Sequence, residues 1–167
     1  MSRAFMKEAD GDDATEELPA RAASPHPNYV TPKGMCLLRE KVRELQTLRN
    51  ELAASEDIAS KQLLKSNDRD LRYFDERART AMLVNPATQV DGHVHFGSNV
   101  EVIDPDGNTL CFSIVGEDEV DVALGKISWV SPLACALMDA QVDDTVVWRR
   151  PAGDLELMVA SIRKGTE

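Results

Sequence analysis

The apolar residues of this chain change period partway along it, and that change calls for two kinds of structure in succession. From Met35, the residues Leu38, Val42, Leu45 and Leu52 recur at alternating three- and four-residue steps, with Arg49 interrupting the stripe and Leu48 widening it. That spacing is the seam of a coiled coil. Thr31-Pro32 supplies its start, with Thr31 as N-cap and Pro32 at the first helical position, where its missing N–H costs nothing. Beyond Asp57 a second stripe holds Leu64, Leu71, Phe74, Ala78 and Ala81, and Asn85-Pro86 is expected to stop it. The break at Ala53-Ala54-Ser55-Glu56-Asp57 is short, so the two helices are expected to lie antiparallel. Each arm would be about 35–40 Å long at 1.5 Å per residue.

From Val94 the pattern is that of strands. Asn99–Asp104 and Thr109–Val115 flank Pro105-Asp106-Gly107-Asn108, a turn sequence, and so form a β-hairpin. Ile127–Val130, Thr145–Arg149 and Leu155–Ile162 read as further strands, and Pro132–Asp139 as a short helix behind a Ser131 cap. The fold class is therefore α+β: an N-terminal antiparallel helical hairpin over 31–85, then a small β-rich domain over 90–165. Residues 1–30 combine an acidic run with Pro19, Pro25 and Pro27 and read as a flexible acidic tail.

Net charge is −10, and its distribution excludes more than its size does. Residues 1–30 carry 3 basic and 6 acidic side chains, 31–84 carry 11 and 9, and 85–167 carry 5 and 14. An acidic second half is repelled by a phosphate backbone, so autonomous DNA binding is not expected, and a protein partner fits better. The longest apolar runs fall far short of the roughly 20 residues of a membrane span, and the N-terminus has no apolar signal segment. A cytoplasmic monomer away from membranes is the expectation. Cys36, Cys111 and Cys135 are odd in number and form no CxxC, so they read as buried or half-buried thiols in a reducing compartment. His93-x-His95 would put two imidazoles on one face of a strand, but two ligands without a third make no zinc site.

The run Lys126–Asp144, KISWVSPLACALMDAQVDD, behind two amphipathic helices, resembles the bacterial Gre transcript-cleavage factors. The matching segments are Val94-His95-Phe96-Gly97 into Val100-Glu101-Val102, then Phe112–Gly116, the loop Glu117-Asp118-Glu119, Ile127-Ser128, and Ser131-Pro132-Leu133-Ala134. Ala136-Leu137, Val142, Asp144 and Pro151-Ala152-Gly153 complete them, over nearly all of 92–163. The resemblance implies an FKBP-like second domain. The hairpin is similar in kind only: the family's first arm is roughly three helical turns longer, and its acidic tip motif is absent as such. In this shortening the chain also resembles the regulator of nucleoside diphosphate kinase. An FKBP-like fold does not confer prolyl isomerisation. The aromatics Phe96, Phe112, Trp129 and Trp148 read as core.

What the resemblance implies is an accessory factor, not an enzyme, that binds RNA polymerase at its secondary channel and modulates paused or backtracked complexes. The globular domain would hold the rim through Ser131, Pro132 and Leu133. The hairpin would reach inward, where tip carboxylates help position the Mg²⁺ of the polymerase active site; the chain holds no cofactor alone. Mg²⁺ is a hard cation that prefers oxygen ligands, which is why the chemistry asks for carboxylates. Here Glu51, Glu56 and Asp57 stand near the tip, with Glu56 the best placed, although Ser55-Glu56-Asp57 also reads as the cap of the second helix. The basic residues Arg39, Arg43, Arg49, Lys61, Lys65, Arg69, Arg72, Arg77 and Arg79 read as a solvated face with i,i+4 pairs such as Asp57–Lys61, Asp68–Arg72 and Asp75–Arg79. In the family's setting they would meet channel walls or the nascent RNA 3′ end. Two other readings stand beside this one: a channel-binding regulator without cleavage that competes with true cleavage factors, and an interaction protein with a non-polymerase target. The sequence departs from the family at Cys135, where a basic residue is common, and at Asp139-Ala140 and Asp143, where Gly-Lys and Gly are common.

Overall fold

The computed structural model describes residues 18–165; most of the acidic tail, including its acids up to Glu17, lies outside them. Two long helices, α1 (Pro32–Ala53) and α2 (Ile58–Thr80), are joined by a four-residue turn. Thr31 caps α1 by accepting a hydrogen bond from Gly34 N–H at 3.0 Å. The helices run antiparallel: Asn67 Nδ2 donates to Leu45 O at 3.0 Å, and Arg49 Nε lies 2.7 Å from Asp68 Oδ1. At 22 and 23 residues the arms are about 33–35 Å long.

The seam is narrower than its sequence pattern suggests. Leu38 and Leu45 are buried on α1, but Leu48 is 42% exposed, and α2 buries only Asn67 and Arg77. Asp75 and Arg79 approach as expected, at 3.8 Å. Asp68 instead crosses to Arg49, and Asp57 caps a helix.

Helix α2 ends at Thr80, short of the expected stop at Asn85-Pro86. Ala81 turns extended because Met82–Leu83 (β2) pairs in parallel with Tyr29–Val30 (β1), and Met82 N–H and Val84 N–H donate to Asn28 O and Val30 O. Residues 28–30, expected in the flexible tail, are thus built into the fold. The buried Asn28 side chain donates to Arg77 O at 2.7 Å and to Thr80 Oγ1 at 3.2 Å, satisfying the end of α2. Val30 is buried.

The second domain is a five-stranded sheet of order β5-β4-β3-β7-β6, comprising β3 (Ser98–Ile103), β4 (Thr109–Val115), β5 (Lys126–Ser128), β6 (Thr145–Trp148) and β7 (Leu155–Lys164). All neighbours are antiparallel except β4 and β5. A register shift between Glu101 and Val102 marks a bulge against β7. The short helix α3 (Pro132–Leu137) lies on one face, and Leu133, Ala134 and Leu137 join Val100, Val102, Ile114, Leu157 and Val159 in the core. Alternation along β3, with Ser98, Val100 and Val102 inward, is what makes that face apolar.

Four expectations change here. Trp129 and Val130 leave the strand at a turn. His93 and His95 precede β3 in irregular chain; their rings are 6.2 Å apart, and His93 engages Asp139 O and Gln141 rather than sharing a strand face. All three cysteines are free and exposed, because Cys36 lies outside the α1 seam and Cys111 and Cys135 point away from the core. Of the four aromatics, only Phe96 is fully buried; Phe112, Trp129 and Trp148 pack at the margin of the core.

Candidate functional site

At the hairpin tip the chain turns through Ala54 and Ser55, whose N–H groups donate to Glu51 O and Leu52 O. Asp57 is the N-cap of α2. Its carboxylate accepts from Ser60 N–H at 2.8 Å, from Ser60 Oγ at 2.6 Å and from Ser55 Oγ at 2.5 Å. The hydrogen bonds from the Ser55 and Ser60 hydroxyls, then from Ser60 N–H, hold this carboxyl well below the usual carboxylate range. Asp57 is therefore ionised but occupied. Glu51 and Glu56 are exposed, so the three acids differ in availability, although sequence reasoning placed them side by side. Among the described residues, no three His, Cys, Asp or Glu side chains converge as a metal site. Oxygen from Glu56 and Glu51 could add to an ion held mainly by another molecule, which is as far as this donor set goes. Ile58, 78% exposed, and Leu63 give the tip an apolar flank.

The rim candidates separate in the same way. Ser131 caps α3, its Oγ accepting from Ala134 N–H at 3.2 Å. Pro132 is exposed at the first helical position. Leu133 is 3% exposed and belongs to the core, so its side chain can orient the surface but cannot be the surface. Pro132 and the exposed Cys135 form the accessible part. At Asp139 and Asp143 φ is +64° and +72°. Aspartate is one of the few side chains that tolerate this left-handed region, so a backbone that favours glycine here carries two exposed carboxylates.

Between tip and rim lies a polar joint that sequence reasoning missed. The loop after β4 makes a single 3₁₀ turn, Glu117–Glu119. Asp118 accepts from Arg77 Nε at 2.5 Å and from the Tyr73 hydroxyl at 3.0 Å, and Glu117 lies 3.6 Å from the same guanidinium. Glu119 accepts from Thr31 N–H at 2.8 Å and from the Thr31 hydroxyl at 2.5 Å. Burial pushes the Tyr73 phenol up, and the Asp118 charge adds to it. A Cβ at Gly34 would sit 2.1 Å from the Glu119 carboxyl carbon, so a larger residue there would push that carboxylate off Thr31. The three consecutive acids were a visible signal in the sequence; nothing distinguished Arg77 from the other arginines of the helix.

The described residues thus form a helical hairpin joined by polar contacts to an α+β domain. Residues 89–164 match the family described as transcription elongation factor, GreA/GreB, C-terminal. The transcription elongation factor GreB of Neisseria meningitidis serogroup B is 32% identical over 151 residues, covering 81% of this chain and 93% of that protein. GreB of Pseudomonas aeruginosa is 32% identical over 159 residues, covering 86% and 93%. Among solved structures, Gfh1 of Thermus thermophilus is 25% identical, covering 83% of this chain and 99% of its own, at a TM-score of 0.40. The chain belongs to the GreA/GreB transcription elongation factor family. Factors of this family bind RNA polymerase and act through its active site as accessory proteins, not as enzymes in themselves. No described helix is long and apolar enough to cross a membrane.

Proposed function

We propose that this protein binds RNA polymerase at its secondary channel and modulates paused or backtracked elongation complexes. The α3 surface at Ser131 and Pro132 would dock at the channel rim, with Leu133 fixing its orientation from beneath. The hairpin would enter the channel and bring Glu56 toward the polymerase-held Mg²⁺, with Glu51 as the second oxygen donor. The observation that carries this reading is the combination of family membership with an exposed carboxylate at the end of an arm about 33 Å long. A carboxylate contributes there by ligating a hard cation and orienting water for in-line attack on the phosphodiester.

A second reading, occupancy of the channel without cleavage, draws support from Asp57. Its carboxylate is committed to capping α2, which removes one donor from the tip. Cleavage of a stalled, backtracked elongation complex separates the two. Under the first reading the protein stimulates cleavage, and Glu56→Ala abolishes it while binding persists. No stimulation, together with displacement of a genuine cleavage factor, would establish the second. Failure to bind polymerase would reject both in favour of another target.

A further inference from the structure

The joint between hairpin and β-rich domain contains two kinds of contact, and they do different work. Its apolar part is the packing of Tyr29 against Phe96 and Trp129, with ring centroids 5.9 and 5.0 Å apart, and the burial of Val30. Apolar burial is non-directional, so it keeps the two parts together without fixing an angle. Directionality comes from the polar part. One 3₁₀ turn presents three carboxylates in succession: Glu117 and Asp118 take Arg77 and Tyr73 of α2, and Glu119 takes Thr31 at the start of α1. Each arm is thus gripped separately, from adjacent residues of one loop.

The Arg77 side chain is 8% exposed and that of Asp118 is 11%. A buried ion pair of this kind is weak evidence for stability, because desolvation offsets much of the attraction. What a planar guanidinium does supply is fixed geometry. We propose that Arg77, Tyr73 and the Glu117–Glu119 turn are positioning residues that set the angle at which the hairpin leaves the β-rich domain, and thereby the location of the tip. This rests on the reading that the tip acts inside a partner's active site. The lever is long: over an arm of about 33 Å, a rotation of about 2° at the joint moves the tip by about 1 Å, and about 10° moves it by about 6 Å. Displacements of about 1 Å can cost two orders of magnitude in a reaction that depends on placement.

The test uses the full-length protein with its three cysteines replaced by serine and spin labels introduced by Ala59→Cys at the tip and Asp106→Cys on the β3–β4 turn. Electron–electron distance measurements are expected to give one narrow distribution for the parent. Arg77→Gln and Asp118→Asn should broaden or shift it by several Å, and Tyr73→Phe by less. An unchanged distribution in Arg77→Gln and Asp118→Asn overturns the proposal. If either of these variants fails to fold, Tyr73→Phe, which deletes one hydroxyl, decides in its place. A second readout separates positioning from a merely structural role. Affinity for polymerase should stay within about twofold while the effect on backtracked complexes at saturation falls about tenfold or more. Parallel loss of both overturns the proposal. If the parent does not bind polymerase, it is the functional reading that fails, and the distance measurement still decides the joint.

Discussion

The hairpin and the β-rich domain are held together by different physics. In the domain, Val100, Val102, Ile114, Leu137, Leu157 and Val159 are essentially inaccessible and belong to one cluster, so β3, β4, β7 and α3 are pinned by side chains that touch several others. In the hairpin, Leu38 and Leu45 are the buried apolar side chains of α1, and the buried positions of α2 are an asparagine and an arginine. The domain is thus a site of packing. The hairpin is a projecting arm whose order depends on helix propensity, caps and its base.

Removing one leucine from each part tests that contrast most strongly. Leu137→Ala should destabilise the protein by about 2–5 kcal/mol in equilibrium denaturation, the cost of a cavity in a closed core. Leu45→Ala should cost less, about 2 kcal/mol, because an open seam can relax and admit water. Equal losses would mean that the hairpin is packed as tightly as the domain.

Asn67 sharpens the comparison. Its Nδ2 bonds Leu45 O, while Oδ1 is buried without a partner. A polar residue in a coiled-coil seam fixes register at a cost in stability. Asn67→Leu is therefore expected to stabilise the hairpin by about 1 kcal/mol, with heterogeneous pairing of the arms visible as doubled amide resonances. A single, more stable register would deny Asn67 that role.

The smallest effect concerns the tip. Because the folded Asp57 carboxyl is held below its unfolded value of about 4, its cap is intact at neutral pH. That contribution is lost as pH falls below about 4 toward the depressed folded value. Protection factors of the first-turn amides of α2, taken relative to the intrinsic exchange rate at each pH, should therefore fall on acidification, and Asp57→Asn should flatten that dependence. Unaltered dependence in the variant would assign the acid sensitivity elsewhere.

Much of this was legible in the residues. Thr31-Pro32 and Ser131-Pro132 announced helix starts that the structure contains, and Pro105–Asn108 announced the turn between β3 and β4. These are local signals, carried by side chains within four residues of the backbone groups they satisfy. The end of α2 was misplaced because pairing with β1, some fifty residues earlier, competes with helix continuation and wins at Ala81. The candidate sites were legible as residue types but not as roles. Leu133 faces the core, Asp57 is bound in its cap, and Glu56 remains exposed on the tip surface.

The sequence by itself determined two helices with a short reversal, the strands and turns of an α+β domain, and an acidic second half. Period and capping chemistry are local, so they survive without a partner. Only the tertiary structure decided how the two parts join, because Arg77 meets Asp118 across 41 residues and Thr31 meets Glu119 across 88. Contacts at such separations leave no periodic trace in a chain; they exist once two finished surfaces bring donor against acceptor.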